Sequence, residues 1–188
     1  ELSREDAIEI IAKGSTKEDI FVSTTGVASR ELFEIRERLH QGHKNDFLTV
    51  GGMGHASSIA LGIALSNKKQ RVLCLDGDGS ALMHMGSIAI IGDQNRENLI
   101  YILLNNSAHD SVGGQPTVGS KISFLDIAKG CGFTKIQAVS SQESLKKALS
   151  EIKYLDGDSI FLEIKVKKGF REDLGRPTQS PIENIESL

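Results

Sequence analysis

Strand and helix signals alternate along the whole of this 188-residue chain, and that alternation predicts an α/β domain of three layers. The expected centre is a mostly parallel, doubly wound sheet between two layers of helices. A second observation supports it: several of the strand-like runs are too apolar to keep one face in water, as befits strands covered on both sides. The third is size, since a chain of this length with 39% hydrophobic residues buries a sizeable core without disulfides or a structural metal.

The elements follow in order. Ser3 is placed to cap a first helix, with Asp6 at its third position, an apolar stripe of Ala7, Ile8 and Ile11, and Gly14 at its end. Short β-branched or apolar runs at 20–23, 47–50, 72–75, 99–104, 134–139 and 160–164 predict strands. Helical spacing fills 29–39, 56–65 and 145–152. All three prolines fall either in the stretch 106–120 or after Lys167. The first of these is longer than a plain connector and predicts a binding loop. The second predicts an irregular tail, giving an expected division into a domain at 1–168 and a tail at 169–188.

A formal charge of −3 with mixed signs provides no basic stripe for nucleic acid, and no apolar run approaches the ~18 residues of a membrane span. Cys74 and Cys131 lack metal or redox spacing and read as small packed side chains, which suits a reducing cytoplasm. The absence of a signal peptide and the start at Glu1 rather than at a Met lead us to expect a processed, excised or incompletely described polypeptide.

The most informative segment is a strand running into Gly77-Asp78-Gly79-Ser80 and then a helix start. Glycines let backbone approach a phosphate closely, and a helix N-terminus favours negative charge. Ser80 either caps that helix or donates to an oxygen. Asp78 would repel a phosphate unless a divalent cation bridged the two. Then comes Asn105-Asn106, with 25 residues between Gly79 and Asn105, enough for one helix and one strand. That spacing delivers an amide oxygen from a neighbouring strand end, and the oxygen ligands suit Mg²⁺ rather than zinc.

This pair at this separation resembles the motif of the thiamine-diphosphate-dependent decarboxylases, and the resemblance implies the thiamine-diphosphate-binding fold. It implies Mg²⁺ held by Asp78, Asn106 and the main-chain carbonyl of Ala108, with Gly77, Gly79 and Ser80 at the cofactor's diphosphate. Gly51-Gly52-Met53-Gly54 is similar to the family segment whose glycine carbonyl meets the cofactor's amino group and whose bulky apolar side chain sits as a wedge under the bend between its two rings, roles that fall to Gly51 and Met53. Thr25 and Gly26 resemble an auxiliary diphosphate loop. Within the family, the run from Asn105 to Gln115 with His109, Asp110 and Ser111, the segment Ser29-Arg30-Glu31-Leu32-Phe33 and the segment Leu174-Gly175-Arg176-Pro177-Thr178 are most similar to phosphonopyruvate decarboxylases. The β subunits of sulfopyruvate decarboxylases share most of these features.

The resemblance implies conversion of 3-phosphonopyruvate to phosphonoacetaldehyde and carbon dioxide, a step of phosphonate biosynthesis, with sulfopyruvate as the alternative substrate. It also implies a partner: the activating Glu of this family comes from a separate pyrimidine-binding domain, so a homo- or hetero-oligomer is expected and the chain alone should be nearly inactive. A non-catalytic phosphate- or nucleotide-binding module is the rival of another class. His109 and His55 are candidates for proton transfer, each set against the plainer reading of an exposed loop histidine. Arg30 and Arg176 are candidates to meet the substrate's anionic end, against a helix face of Glu31, Glu34, Arg36, Glu37 and Arg38 that reads as mostly solvated. His84 reads as a packed helix residue, and His40 and His43 as surface residues. The loop 106–120 is expected to depend for its order on cofactor and metal.

Overall fold

The computed structural model describes residues 1–152, 157–178 and 180–186. Its strands are β1 (Ile20–Ser23), β2 (Asp46–Leu48), β3 (Val72–Gly77), β4 (Leu99–Asn105), β5 (Ala108–His109), β6 (Gln115–Pro116), β7 (Lys135–Val139) and β8 (Ile160–Lys165). The helices are α1 (Arg4–Gly14), α2 (Val27–Arg38), α3 (Ala56–Ser66), α4 (Asp78–Met83), α5 (Gly86–Gln94), α6 (Phe124–Gly130), α7 (Gln142–Ile152) and α8 (Pro181–Glu186). Six strands form a sheet in the order β2-β1-β3-β4-β8-β7, every neighbour parallel. The strands β5 and β6 form a separate antiparallel hairpin inside the long loop.

Alternation along each central strand builds the three layers. From β4, Ile100, Ile102 and Leu104 enter a core with Ile8 and Ile11 of α1, Leu32 and Ile35 of α2 and Leu145 of α7. The intervening Leu99, Tyr101 and Leu103 enter the opposite core, with Ala60 of α3, Ile88 and Ile91 of α5 and Phe124 of α6. Every residue of β4 is buried, which explains why its sequence shows no polar alternation. The strand order reverses at β1, because α2 carries the chain outward to β2 while α3 returns it to β3 on the other side. The crevice between the carboxyl ends of β1 and β3 is therefore a ligand position of the fold.

Several boundaries differ from expectation for local physical reasons. β2 ends at Leu48, since past Thr49, whose N–H still bonds the Ser23 carbonyl, the chain enters the glycine turn. β3 runs on to Gly77 because its ladder with β4 continues to the pair Gly77 and Leu104, and β4 runs on to Asn105 because that residue pairs with Lys165 of β8. Two helices escaped notice although their capping was present in the sequence. Ser123 accepts from the Asp126 N–H at 3.2 Å to start α6. Ser180 and Glu183 bond each other's N–H groups to start α8, with Pro181 at its first position.

That last helix corrects the expectation of an irregular tail over 169–188, of which residues 179, 187 and 188 lie outside those described. The first part of the tail also packs back on the domain. Leu174 is buried, the Gly175 N–H bonds Glu34 Oε1 at 2.5 Å, and Arg171 pairs with Glu5 and Glu34. Among the described residues no helix is long and apolar enough to cross a membrane.

Candidate functional site

The turns that follow β1, β2 and β3 are fastened to one another at the switch point by one hydroxyl. Ser80 Oγ accepts from Thr24 Oγ1 at 2.9 Å and from the Gly54 N–H at 3.0 Å. Ser80 is thus a staple between the loops, and no side chain caps α4. Beneath it lies Asp76, fully buried at the end of β3, whose carboxylate accepts from the Tyr101 hydroxyl at 2.7 Å and the Gly77 N–H at 2.9 Å. Burial pushes this carboxyl above the usual range, against the pull of hydrogen bonds that include Ser80 and Tyr101.

Asp78 begins α4 and is 1% exposed, yet no basic side chain among the described residues pairs with it. Burial raises its pKa, opposed by the Thr117 hydroxyl and by N–H groups that include that of Asn106. The register that sets Gly77 beside Leu104 brings Asp78 and Asn106 to adjacent strand ends, and that N–H contact joins them directly. Asn106 Oδ1 accepts from the Ala108 N–H at 3.1 Å. Since the Thr117 N–H bonds the Ser107 carbonyl, Ala108 occupies a non-bonded position of the β5–β6 hairpin, and its carbonyl stays out of the ladder. A carboxylate lacking a counter-charge, an amide and a free carbonyl are a hard-oxygen donor set that fits Mg²⁺.

The segment after β6 closes over the same place. The Thr117 hydroxyl donates to Asp78 Oδ2, and the Asn105 amide donates to the Gly119 carbonyl at 3.1 Å and to Glu163 Oε1 at 2.7 Å. Gly119 lies so close that a Cβ there would fall 2.6 Å from Asp78 Oδ2 and 2.8 Å from Asn105 Oδ1. The loop is therefore tied down by protein contacts.

One cleft gathers most of the expected residues. Thr25, Met53, Gly77, Asp78, Gly79 and Ser80 line it from one side, and Asn106, Ala108 and His109 from the other. The His109 ring lies directly over Gly79, where any Cβ would strike it. Gly26 caps α2 with a φ of 98° and faces Ser111 of the cleft wall, while Gly51 donates to Thr25 Oγ1 at 3.1 Å and Gly52 follows at the rim.

Other expectations are redirected. His55 is exposed outside the cleft wall, beside the Gly52 carbonyl, and its ring lies 4.3 Å from that of His84, tilted by 51°; His84 is an exposed residue ending α4 rather than a packed helix residue. The Arg30 guanidinium is occupied by the carbonyls of Leu174 and Gly175 and lies 5.9 Å from the Phe170 ring, because the tail docks on α2. Arg176 is exposed, with no hydrogen bond or ion pair among the described residues. His43 is not a free surface residue: it stacks on Phe33 at 4.2 Å and lies between Glu37 and Asp46.

The face of α2 read as solvated holds two buried charges. Glu31 pairs with Arg4 at 2.8 Å, and Arg36 with Asp46 at 2.7 Å. Glu31 shares the helical stripe of Ala28, Leu32 and Ile35, a spacing that was available to reveal its burial. Arg4 and Thr117 were missed outright, and Asp110 was read only as part of the family-like run, since their partners Asp110, Asp78 and Arg4 come from distant parts of the chain.

The comparisons identify this domain as a thiamine-diphosphate-binding one. The chain belongs to the thiamine pyrophosphate enzymes: the family model described as "Thiamine pyrophosphate enzyme, C-terminal TPP binding domain" matches residues 25–164. Among curated relatives, the phosphonopyruvate decarboxylase of Streptomyces viridochromogenes is 36% identical over 94% of this chain and 43% of its own length. The sulfopyruvate decarboxylase subunit beta of Methanocaldococcus jannaschii is 40% identical over 80% of this chain and 79% of its own length. The chain thus spans less than half of the former protein and about four fifths of the latter. The solved thiamine diphosphate-dependent 4-hydroxybenzoylformate decarboxylase of Rhodococcus jostii shares the fold with a TM-score of 0.71 at 16% identity, covering 89% of this chain and 33% of that one.

Proposed function

We propose that this chain is the diphosphate- and Mg²⁺-binding portion of a 2-oxo acid decarboxylase whose substrate is 3-phosphonopyruvate. The observation that carries the reading is the buried, uncompensated Asp78 carboxylate beside Asn106 and the free Ala108 carbonyl at the switch point. Asp78, Asn106 and Ala108 would hold the cation, with the Gly77–Ser80 turn and Thr25 at the diphosphate. Met53 lines the cleft and Gly51 stands beside it through its bond to Thr25, in the segment matched to the cofactor's ring system. Thiamine diphosphate, when bound, supplies the electron sink for the pair released as carbon dioxide leaves.

The chain's own share is placement and proton handling. His109, inside the cleft, is the candidate to hold a proton near the substrate; His55 would reach it only from the rim. Arg176 is free to meet the substrate's anionic end, whereas Arg30 would first have to release the tail. The activating Glu comes in this reading from a pyrimidine-binding domain or subunit. Sulfopyruvate is the second reading, favoured by the 40% identity to the sulfopyruvate decarboxylase subunit beta of Methanocaldococcus jannaschii.

Co-expression with a pyrimidine-binding partner, followed by side-by-side turnover of both oxo acids, tests this. Aldehyde formation dependent on thiamine diphosphate and Mg²⁺, faster with phosphonopyruvate, is the expected result. Faster turnover of sulfopyruvate would reassign the substrate, and no cofactor-dependent turnover of either would overturn the proposal.

A further inference from the structure

Asn106 presents an ambiguity that only its surroundings resolve. A side-chain amide has an oxygen that ligates a hard cation and a nitrogen of nearly the same size that repels one, so a ligand Asn is useful in one of its two orientations only. The partners here settle which. Asp110 Oδ2 lies 2.6 Å from Asn106 Nδ2, and an ionised carboxylate accepts hydrogen bonds but cannot donate them. The nitrogen is thereby held toward Asp110, and the oxygen turns to the side where the Ala108 N–H also meets it at 3.1 Å.

Asp110 is itself fixed from two remote parts of the chain. The same oxygen accepts from Arg4 NH1 at 2.9 Å and from the Gly169 N–H at 3.0 Å. Arg4 completes its fork on Glu31, at 2.8 and 3.2 Å, and on the Gly169 carbonyl at 3.3 Å. The side chains of Arg4, Glu31 and Asp110 are only 7%, 2% and 6% exposed. A buried ionic cluster of this kind is a costly way to stabilise a fold, since apolar residues of similar size often do as well. Its position against a metal-ligand amide gives it another use.

We propose that Asp110 is a positioning residue for the cation: clamped by Arg4 and Gly169, it sets the orientation of the Asn106 amide and commits its oxygen to the metal. The inference rests on the reading of Asp78, Asn106 and Ala108 as a cation site. Groups that orient metal ligands from outside typically change metal affinity by ~10–100-fold when removed.

The test is Mn²⁺ affinity of the full chain in the presence of thiamine diphosphate, followed by the electron paramagnetic resonance of free Mn²⁺, with thermal unfolding of each variant recorded alongside. Asp110→Ala should raise the Mn²⁺ dissociation constant by ~10–100-fold at a temperature where the variant is still folded. Asp110→Asn, which keeps an oxygen able to accept from Asn106 but is no longer bound to face it that way, should fall between. A purely structural role would lower the unfolding temperature and leave the dissociation constant unchanged, and that result overturns the proposal. Should Asp110→Ala fail to fold, an unchanged constant in Asp110→Asn does the same. Absence of Mn²⁺ binding by the unaltered chain would overturn the cation site and this inference together; tight binding by the unaltered chain and equally tight binding by the variants would overturn this inference alone.

Discussion

Asp76 shows how one side chain below the site shapes it. It is a carboxylate in a sheet interior, and its donors hold the glycine turn from beneath: the Gly77 N–H from its own turn, Ser80 from the start of α4, and Tyr101 from the neighbouring strand. Tyr101 anchors that arrangement, stacked at 5.1 Å on Phe161 so that its hydroxyl has little freedom to go elsewhere. Tyr101→Phe keeps the stack and removes the donor, so it should lower stability by about 1–3 kcal/mol, the usual cost of leaving a buried polar group short of a partner. Urea unfolding measures it, and an unchanged midpoint would show that Asp76 is satisfied without the tyrosine.

At the scale of elements, α2 and β2 are joined by a group whose charge depends on pH. Burial works to lower the His43 pKa, but hydrogen bonds to Asp46 on β2 and Glu37 on α2 outweigh it, and the value is raised. A pKa raised on folding means that the folded state holds the proton more tightly. The stabilisation is therefore fully present below the unfolded value near 6.5 and is lost as pH rises through the folded one. His43→Gln should accordingly lose more stability at about pH 5.5 than at about pH 9, a contrast that denaturant titrations at the two values would show. Equal losses would mean that His43 contributes only its stack on Phe33.

The elements also show what local sequence reveals. Strand positions were legible because a doubly covered sheet demands unbroken apolar runs, and β4 is such a run over six of its seven residues. Strand ends were less so, since Asp76 and Asn105 are polar and belong to strands only through the register of their neighbours. The glycine turn, Asp78 and Asn106 were readable because a helical stretch and one strand separate them, although that stretch is divided into α4 and α5. The support around them was not. Asp110 meets Arg4 across 106 positions and Thr117 meets Asp78 across 39, and no periodicity reports such pairs. The partners of Arg30 were hidden for a related reason, because they are backbone carbonyls of a tail that looked detached.

Across the whole molecule, the three segments that most resembled phosphonopyruvate decarboxylases prove to be connected. Arg30 holds Leu174 and Gly175, Glu31 holds Arg4, and Arg4 holds Asp110 together with the carbonyl of Gly169. This makes 169–175 a structural part of the domain, and the division at residue 168 can be tested by ending the chain there. Truncation exposes the surface covered by Leu174, worth about 1.5–3 kcal/mol for one fully buried side chain, and leaves Glu34 and Arg30 without their tail partners. It also removes one of the three donors that hold Asp110. The shortened chain should therefore unfold at lower urea concentration by an amount equivalent to at least about 1.5 kcal/mol. Hydrogen exchange should rise in α1, in α2 and around Asp110, and not at the distant edge strand β7. A detached tail would predict the opposite, an unchanged midpoint and unchanged exchange everywhere, so the two readings of the last twenty residues separate in a single pair of measurements.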